Sequence, residues 1–166
     1  RYAMNVAETA STFAEMIVSD AAVKEADNKE EKIAMLEDKI GRTIAFFMNI
    51  HARFLFETRF YEERKSGIVS ATRLNELMQE AQKEAFMDSL DEYHPQFWSS
   101  KLHFYITSVP FYNFPYTFGY LFSLGIYEKA LESKEGKEGF EEKYIALLKD
   151  TGCMTVEDLA MKHLQE

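Results

Sequence analysis

The sequence predicts an all-α fold, and three observations carry that prediction. Apolar residues recur at three- and four-residue steps along most of the chain, no stretch alternates with the period of a strand, and only seven glycines and three prolines punctuate 166 residues. The prolines, Pro95, Pro110 and Pro115, fall within one short stretch, which leaves the rest to run as helices. At 46% hydrophobic the chain can bury a sizeable core, and its length suits one domain, so residues 1–166 are read as a single helical unit.

Taken in order, Val6, Ala10, Phe13, Ile17 and Ala21 mark one face of a first helix that ends between Lys24 and Asp27. Asn28 with Glu31 three residues on makes a capping-box-like start to a second. Its apolar stripe, Ile33, Leu36, Ile40, Ile44, Phe47 and Phe54, continues to about Tyr61. A helix that long exceeds the ~30 Å span of a small domain, so Gly41 is the expected bend or break, and Ser66-Gly67 closes it. Ser70 caps a third helix carrying Leu74, Leu77, Met78, Ala81 and Ala85, which ends near Ser89.

Between Tyr93 and Tyr127 the character changes, because this stretch holds 13 of the chain's 24 aromatic residues. Pro110 and Pro115 exclude a continuous helix and pull the residues before them toward extended geometry, so a proline- and tyrosine-rich loop between helices is expected. Lys134 to Gly139 reads as a solvated, glycine-broken loop, Phe140 to Leu148 as a short helix, and Thr155 as the cap of a last helix through His163.

Charge and composition exclude several functions. Nineteen Lys and Arg against 28 Asp and Glu leave a net charge of −9, which argues against a phosphate-neutralising surface and hence against nucleic acid. A single cysteine, Cys153, makes no internal disulfide and fits a reducing compartment, so a cytoplasmic location is expected. No apolar stretch reaches the ~20 residues that cross a bilayer, and no membrane role is expected. The chain opens Arg1-Tyr2-Ala3 without an initiator Met and enters a helical pattern at once, which reads as a fragment of a longer protein. There is no glycine-rich phosphate loop and no Gly-x-Ser-x-Gly elbow. His51, His94, His103 and His163 stand neither three residues after a Glu nor four from one another, which removes both a Glu-x-x-His di-iron pattern and a complete His-Glu-x-x-His zinc helix.

Two segments remain. In the first helix Glu8, Ser11, Thr12 and Glu15 form a polar seam among Ala7, Ala10 and Ala14, small residues that let another helix approach closely. Periodicity alone reads this seam as a solvated face. The aromatic segment places several phenols on a proline-bounded loop, where they would serve either as hydrogen-bond donors to an oxyanion in a cleft or as core plugs whose hydroxyls find backbone partners. Without further information the core-plug reading is the plainer one, and a lone His103 is more often structural than catalytic.

A resemblance reverses both readings. Glu8-Thr-Ala-Ser-Thr-Phe-Ala-Glu15 resembles the segment that follows the His-Glu-x-x-His helix in oligoendopeptidase F, a thimet-oligopeptidase-like zinc metallopeptidase. His103-Phe-Tyr105 followed by Pro110-Phe-Tyr112-Asn-Phe-Pro-Tyr116-Thr-Phe-Gly119-Tyr120 is similar to its substrate-binding tyrosine loop. His51-Ala-Arg-Phe-Leu-Phe-Glu57 and Leu74-Asn-Glu-Leu resemble the long helix and the helix after it, and Tyr144-Ile-Ala-Leu-Leu-Lys149 with Glu157-Asp-Leu its closing helices, so the resemblance covers essentially the whole chain.

The resemblance implies the C-terminal part of a catalytic domain that hydrolyses internal bonds of short peptides. Glu8 would be the third ligand of a His2Glu zinc site whose histidines and general-base Glu lie upstream. Zinc with three protein ligands and a water lowers the pKa of that water for attack on a peptide carbonyl. His103 with Tyr112 or Tyr116 would stabilise the tetrahedral oxyanion or hold the peptide backbone, and Tyr105, Gly119 and Tyr120 would bind substrate. The His-Glu-x-x-His helix is absent from these 166 residues. The fragment alone is therefore expected to be inactive and without bound zinc, and to self-associate through apolar surface that its missing partners would cover. The competing reading is a non-enzymatic helical module that uses the same aromatic segment as a docking groove for a peptide or partner helix.

Overall fold

A computed structural model describes residues 2–132 and 136–164, and no strand occurs among them. The helices are α1 (Thr9–Glu25), α2 (Lys29–Ile44), α3 (Ile50–Arg64), α4 (Ala71–Ala85), α5 (Phe114–Glu132), α6 (Gly136–Asp150) and α7 (Val156–His163). By its contacts the chain gathers into two compact units, Arg1–Lys39 with Phe118–Glu166, and Ile40–Thr117. Among the described residues no helix is long and apolar enough to cross a membrane.

In the first unit Phe13, Ile126, Leu147, Leu159 and Leu164 are buried together, with Tyr127, Phe140 and Tyr144 packed around them. The closest ring pair is Phe13 with Tyr144, 4.5 Å between centroids. The buried face of α1 is not the predicted one. Val6 and Phe13 are buried, but Ile17 is 45% exposed and Ala10 and Ala21 face solvent, while Thr9, Thr12 and Met16 point inward. Hydroxyl chemistry accounts for the rotation. Thr12 Oγ1 lies 2.6 Å from Ser123 Oγ and 3.1 Å from the Gly119 carbonyl, and Ser123 Oγ donates to the Thr9 carbonyl at 2.8 Å. Those partners offset the cost of burying the Thr12 and Ser123 hydroxyls, and the small side chains let α5 come close to α1. Thr155 Oγ1 accepts from Asp158 N at 3.2 Å and caps α7 as predicted. The predicted loop at Lys134–Gly139 is corrected: Lys134 and Glu135 lie outside the described residues, but α6 already begins at Gly136 rather than Phe140. Its glycines occupy the first turn, whose N–H groups have no intrahelical partner in any case.

The second unit is a pair of helices, α3 and α4, around Phe56, Leu77, Met78 and Ala81, with Trp98 and Phe104 packed on the cluster. Ser70 caps α4 by accepting from Arg73 N at 3.1 Å, and Arg73 reaches back to Glu63 of α3 with Nη2 at 2.8 Å. At the start of α2, Asn28 Oδ1 accepts from Glu31 N at 2.8 Å, while Glu31 returns a carboxylate oxygen to Asp27 N, so the predicted cap forms one residue wider than the usual box. Gly41 does not break the helix. A lone glycine costs about 1 kcal/mol in a helix interior, which the long helix absorbs. The ladder departs later, in a π-helical turn at Ala45–Asn49 that leads into α3. Thr117 Oγ1 donates to the Phe46 carbonyl within that turn at 2.6 Å.

The aromatic segment folds into two 3₁₀ turns, Phe97–Ser100 and Leu102–Tyr105, and a loop to Asn113. The loop is shorter than predicted, because α5 starts at Phe114 and takes Pro115 into its first turn, where the missing N–H costs nothing. Tyr116, Gly119 and Tyr120 are therefore helical residues.

Candidate active site

In the second unit three of the predicted residues meet. His103 comes from the second 3₁₀ turn, Tyr112 from the loop and Tyr116 from the first turn of α5. The His103 and Tyr112 rings lie parallel, 6.2 Å between centroids at 6°, and Tyr116 stands perpendicular to both, at 6.0 Å and 89° from His103 and 5.8 Å and 90° from Tyr112. Two phenols and an imidazole thus sit side by side within one unit. His103 Nδ1 is buried without a hydrogen-bond partner. Burial chiefly, with the positive charges of Arg53 and Lys101, pulls the His103 imidazole below its ordinary value, against an upward pull from Glu57. These surroundings favour the neutral ring, which can accept at one nitrogen and donate from the other.

The frame around this cluster comes from one face of α3. Asn49, Arg53 and Glu57 recur at four-residue steps, the last residue of the π turn and two positions of the helix. Arg53 Nε donates to Asn49 Oδ1 at 3.0 Å, and its guanidinium lies 5.4 Å from the centre of the Phe97 ring, which Lys101 also covers at 4.3 Å. Burial lowers the Arg53 pKa from its ordinary value, and interaction with Tyr116 opposes that shift.

Glu57 is 3% exposed. Its Oε1 accepts from Phe111 N at 2.8 Å and its Oε2 from Asn113 Nδ2 at 3.1 Å. Phe111 has φ +62°, a left-handed conformation that costs a bulky side chain on the order of 1–3 kcal/mol and persists only where the surroundings enforce it. Besides the Glu57 hydrogen bond, its ring packs on Tyr61 at 5.1 Å and Phe54 at 6.1 Å. The Asn113 N–H closes the turn onto the Phe111 carbonyl at 2.7 Å.

Tyr105 is also in this unit, with its hydroxyl donating to the Ser99 carbonyl at 3.1 Å. It borders a cavity of about 150 Å³ walled by Phe56, Phe60, Tyr61, Trp98 and Phe104, with Glu57 as its acidic member.

The remaining predicted residues belong to the first unit. Glu8 precedes α1, half-buried, and its carbonyl accepts from Thr12 Oγ1 at 2.7 Å and Thr12 N at 3.0 Å, while its carboxylate accepts from Ser11 Oγ at 3.1 Å. Gly119 lies against this turn: a Cβ there would stand 3.0 Å from the Glu8 carbonyl carbon and 3.1 Å from Thr9 N. Tyr120, next along α5, is buried at 7% exposure. Sequence reasoning missed Arg53, Lys101, Glu57 and Asn113. The four-residue spacing of Asn49, Arg53 and Glu57 within an aromatic helix was the available signal for two of them.

The chain belongs to peptidase family M3, whose family model matches residues 1–165, and so to the thimet-oligopeptidase-like metallopeptidases that the sequence resembles. No curated protein and no solved structure gives a significant match.

Proposed function

We propose that the chain forms the C-terminal part of the catalytic domain of a zinc-dependent oligoendopeptidase of the F type, acting on short peptides in the cytoplasm. The observation that carries this reading is the meeting of His103, Tyr112 and Tyr116 in a chain whose family is M3. Peptidases of this family are generally zinc-dependent. Among the described residues no group of three His, Cys, Asp or Glu side chains is arranged to hold a metal. Glu8 would contribute one carboxylate ligand, on a turn whose backbone Thr12 and Gly119 hold in place. Zinc, when bound, supplies Lewis acidity and an acidified water.

The residues of this chain have the complementary task. A phenol O–H from Tyr112 or Tyr116 donates to the carbonyl oxygen of the bond being cleaved, and that hydrogen bond strengthens as charge develops there. His103 donates a hydrogen bond to the same oxygen or holds the peptide backbone. The resemblance assigns substrate binding to Tyr105 and, in the other unit, to Gly119 and Tyr120. In the fragment alone, Ile33, Leu36, Ile40 and Ile44 on α2 are 41–60% exposed, surface through which it would self-associate.

The test is Glu8→Ala in the peptidase that carries this segment. Zinc retained after dialysis, read by elemental analysis, should fall, and peptide cleavage should nearly vanish. In the 166-residue chain the same substitution should leave the low incidental zinc binding unchanged. Undiminished turnover of the Glu8→Ala peptidase removes Glu8 from the site.

A further inference from the structure

We propose that Glu57 is a positioning residue for the tyrosine cluster: its buried carboxylate holds the Phe111–Asn113 turn and thereby sets where Tyr112 and Tyr116 stand against His103. The proposal rests on the peptidase reading of that cluster. Three features converge on it. Each carboxylate oxygen of Glu57 accepts from a different group of the turn, the backbone N–H of Phe111 and the side-chain amide of Asn113. Both Glu57 and Asn113 are buried, at 3% and 0% exposure, so a lost hydrogen bond there is poorly replaced by one to bulk solvent. The residue held by Oε1 is the strained one, Phe111 at φ +62°, and Tyr112 lies between the two tethered positions.

The turn continues directly into the cluster. Tyr116 N donates to the Asn113 carbonyl at 3.2 Å, so the first turn of α5, which carries Tyr116, starts from the residue that Glu57 grips. Without the two acceptors, Phe111 has nothing polar to hold its N–H in the left-handed geometry, and relaxation of that φ rotates Tyr112 out of its parallel arrangement with His103. Displacements of about 1 Å at reacting groups cost on the order of 10²-fold in rate.

Replacement by glutamine separates hydrogen bonding from charge. In Glu57→Gln the new side chain keeps an oxygen for Phe111 N and turns its amide toward Asn113, whose Oδ1 is buried without a partner and accepts once the Asn113 amide turns over. Glu57→Gln should therefore preserve the turn, and Glu57→Ala should not.

The experiment measures kcat and KM for a short peptide in the zinc-loaded peptidase that carries this segment. Glu57→Ala should lower kcat by about 10- to 100-fold with KM within about threefold. Glu57→Gln should restore kcat to within about threefold of the parent. In a Tyr112→Phe/Tyr116→Phe background, Glu57→Ala should cost less than about twofold, because the groups it positions are gone. An equal cost in both backgrounds overturns the proposal, since a scaffold defect acts whether or not the hydroxyls are present. Undiminished kcat in Glu57→Ala overturns it as well. If Glu57→Ala does not fold, Asn113→Ala, which removes one tether, is read the same way, and an undiminished kcat there overturns it. Parental turnover in Tyr112→Phe/Tyr116→Phe alone would show instead that the peptidase reading of the cluster has failed, and the proposal would fall with it.

Discussion

Gly119 and Gly41 are both helical glycines, and the structure assigns opposite signs to replacing them with alanine. At Gly41 a Cβ meets nothing within 4 Å, so the substitution only removes the conformational freedom of glycine and should stabilise by about 0.8–1 kcal/mol. At Gly119 the same gain is set against a Cβ placed 3.0–3.1 Å from Glu8 and Thr9, two of the three near atoms belonging to backbone. That backbone is held by Thr12 and by Ser123, so it yields only by opening the α1–α5 approach. Overpacking of this kind costs about 1–3 kcal/mol, which leaves Gly119→Ala net destabilising by about 1 kcal/mol and separates it from Gly41→Ala by about 2 kcal/mol. Denaturant unfolding of the 166-residue chain, followed by far-UV circular dichroism, measures both variants on one scale. In a thermal melt each kcal/mol is worth about 2–4 °C for a chain of this size. A Gly119→Ala variant as stable as Gly41→Ala would refute the close approach of α1 and α5, and with it the account of how Glu8 is held.

Two further predictions concern protonation. His103 should titrate by NMR below its ordinary value near 6.5, and Arg53→Met should raise it by removing a neighbouring cation. Because the folded pKa is the lower one, the unfolded chain takes the proton first, so stability falls as pH drops through that interval; titration above 6.5 contradicts the burial argument. Asp20 is held below the ordinary carboxylate range chiefly by its hydrogen bond to Lys39 and then by that to Tyr127. Its contribution is complete above the ordinary carboxylate value and is lost as pH falls through the depressed one. Asp20→Asn should therefore cost about 0.2–1 kcal/mol at about pH 7 and nothing in strong acid, a modest amount because the Lys39 side chain is 41% exposed.

What the sequence discloses follows from how local each cause is. The caps at Asn28, Ser70 and Thr155 are legible because the cap and its N–H partner stand three residues apart. The buried face of α1 is not, because Thr12 turns inward where Gly119 and Ser123, more than a hundred residues on, supply partners for its hydroxyl. Gly41 looks like a break because glycine weakens helices in general, whereas the actual departure, at Ala45–Asn49, is served by the hydroxyl of Thr117. His103, Tyr112 and Tyr116 stand out through composition and resemblance, but which element carries Tyr116 turns on whether Pro115 ends a loop or begins a helix, and both satisfy its ring. Glu57 is marked in the sequence only by its four-residue spacing from Arg53 and Asn49, and its task stays hidden because its partners lie 54 and 56 residues away.

The central claim is that the tyrosine cluster stabilises charge during peptide hydrolysis rather than filling the core, and Tyr→Phe at positions 112 and 116 tests it most directly, since each change deletes a hydroxyl and little else. In the zinc-loaded peptidase carrying this segment, at least one of Tyr112→Phe and Tyr116→Phe should lower kcat for a short peptide by on the order of 10²–10³, with KM changed far less. If both variants lose only about 0.5–1.5 kcal/mol of stability and keep kcat within about tenfold of the parent, the hydroxyls serve packing and the account is wrong.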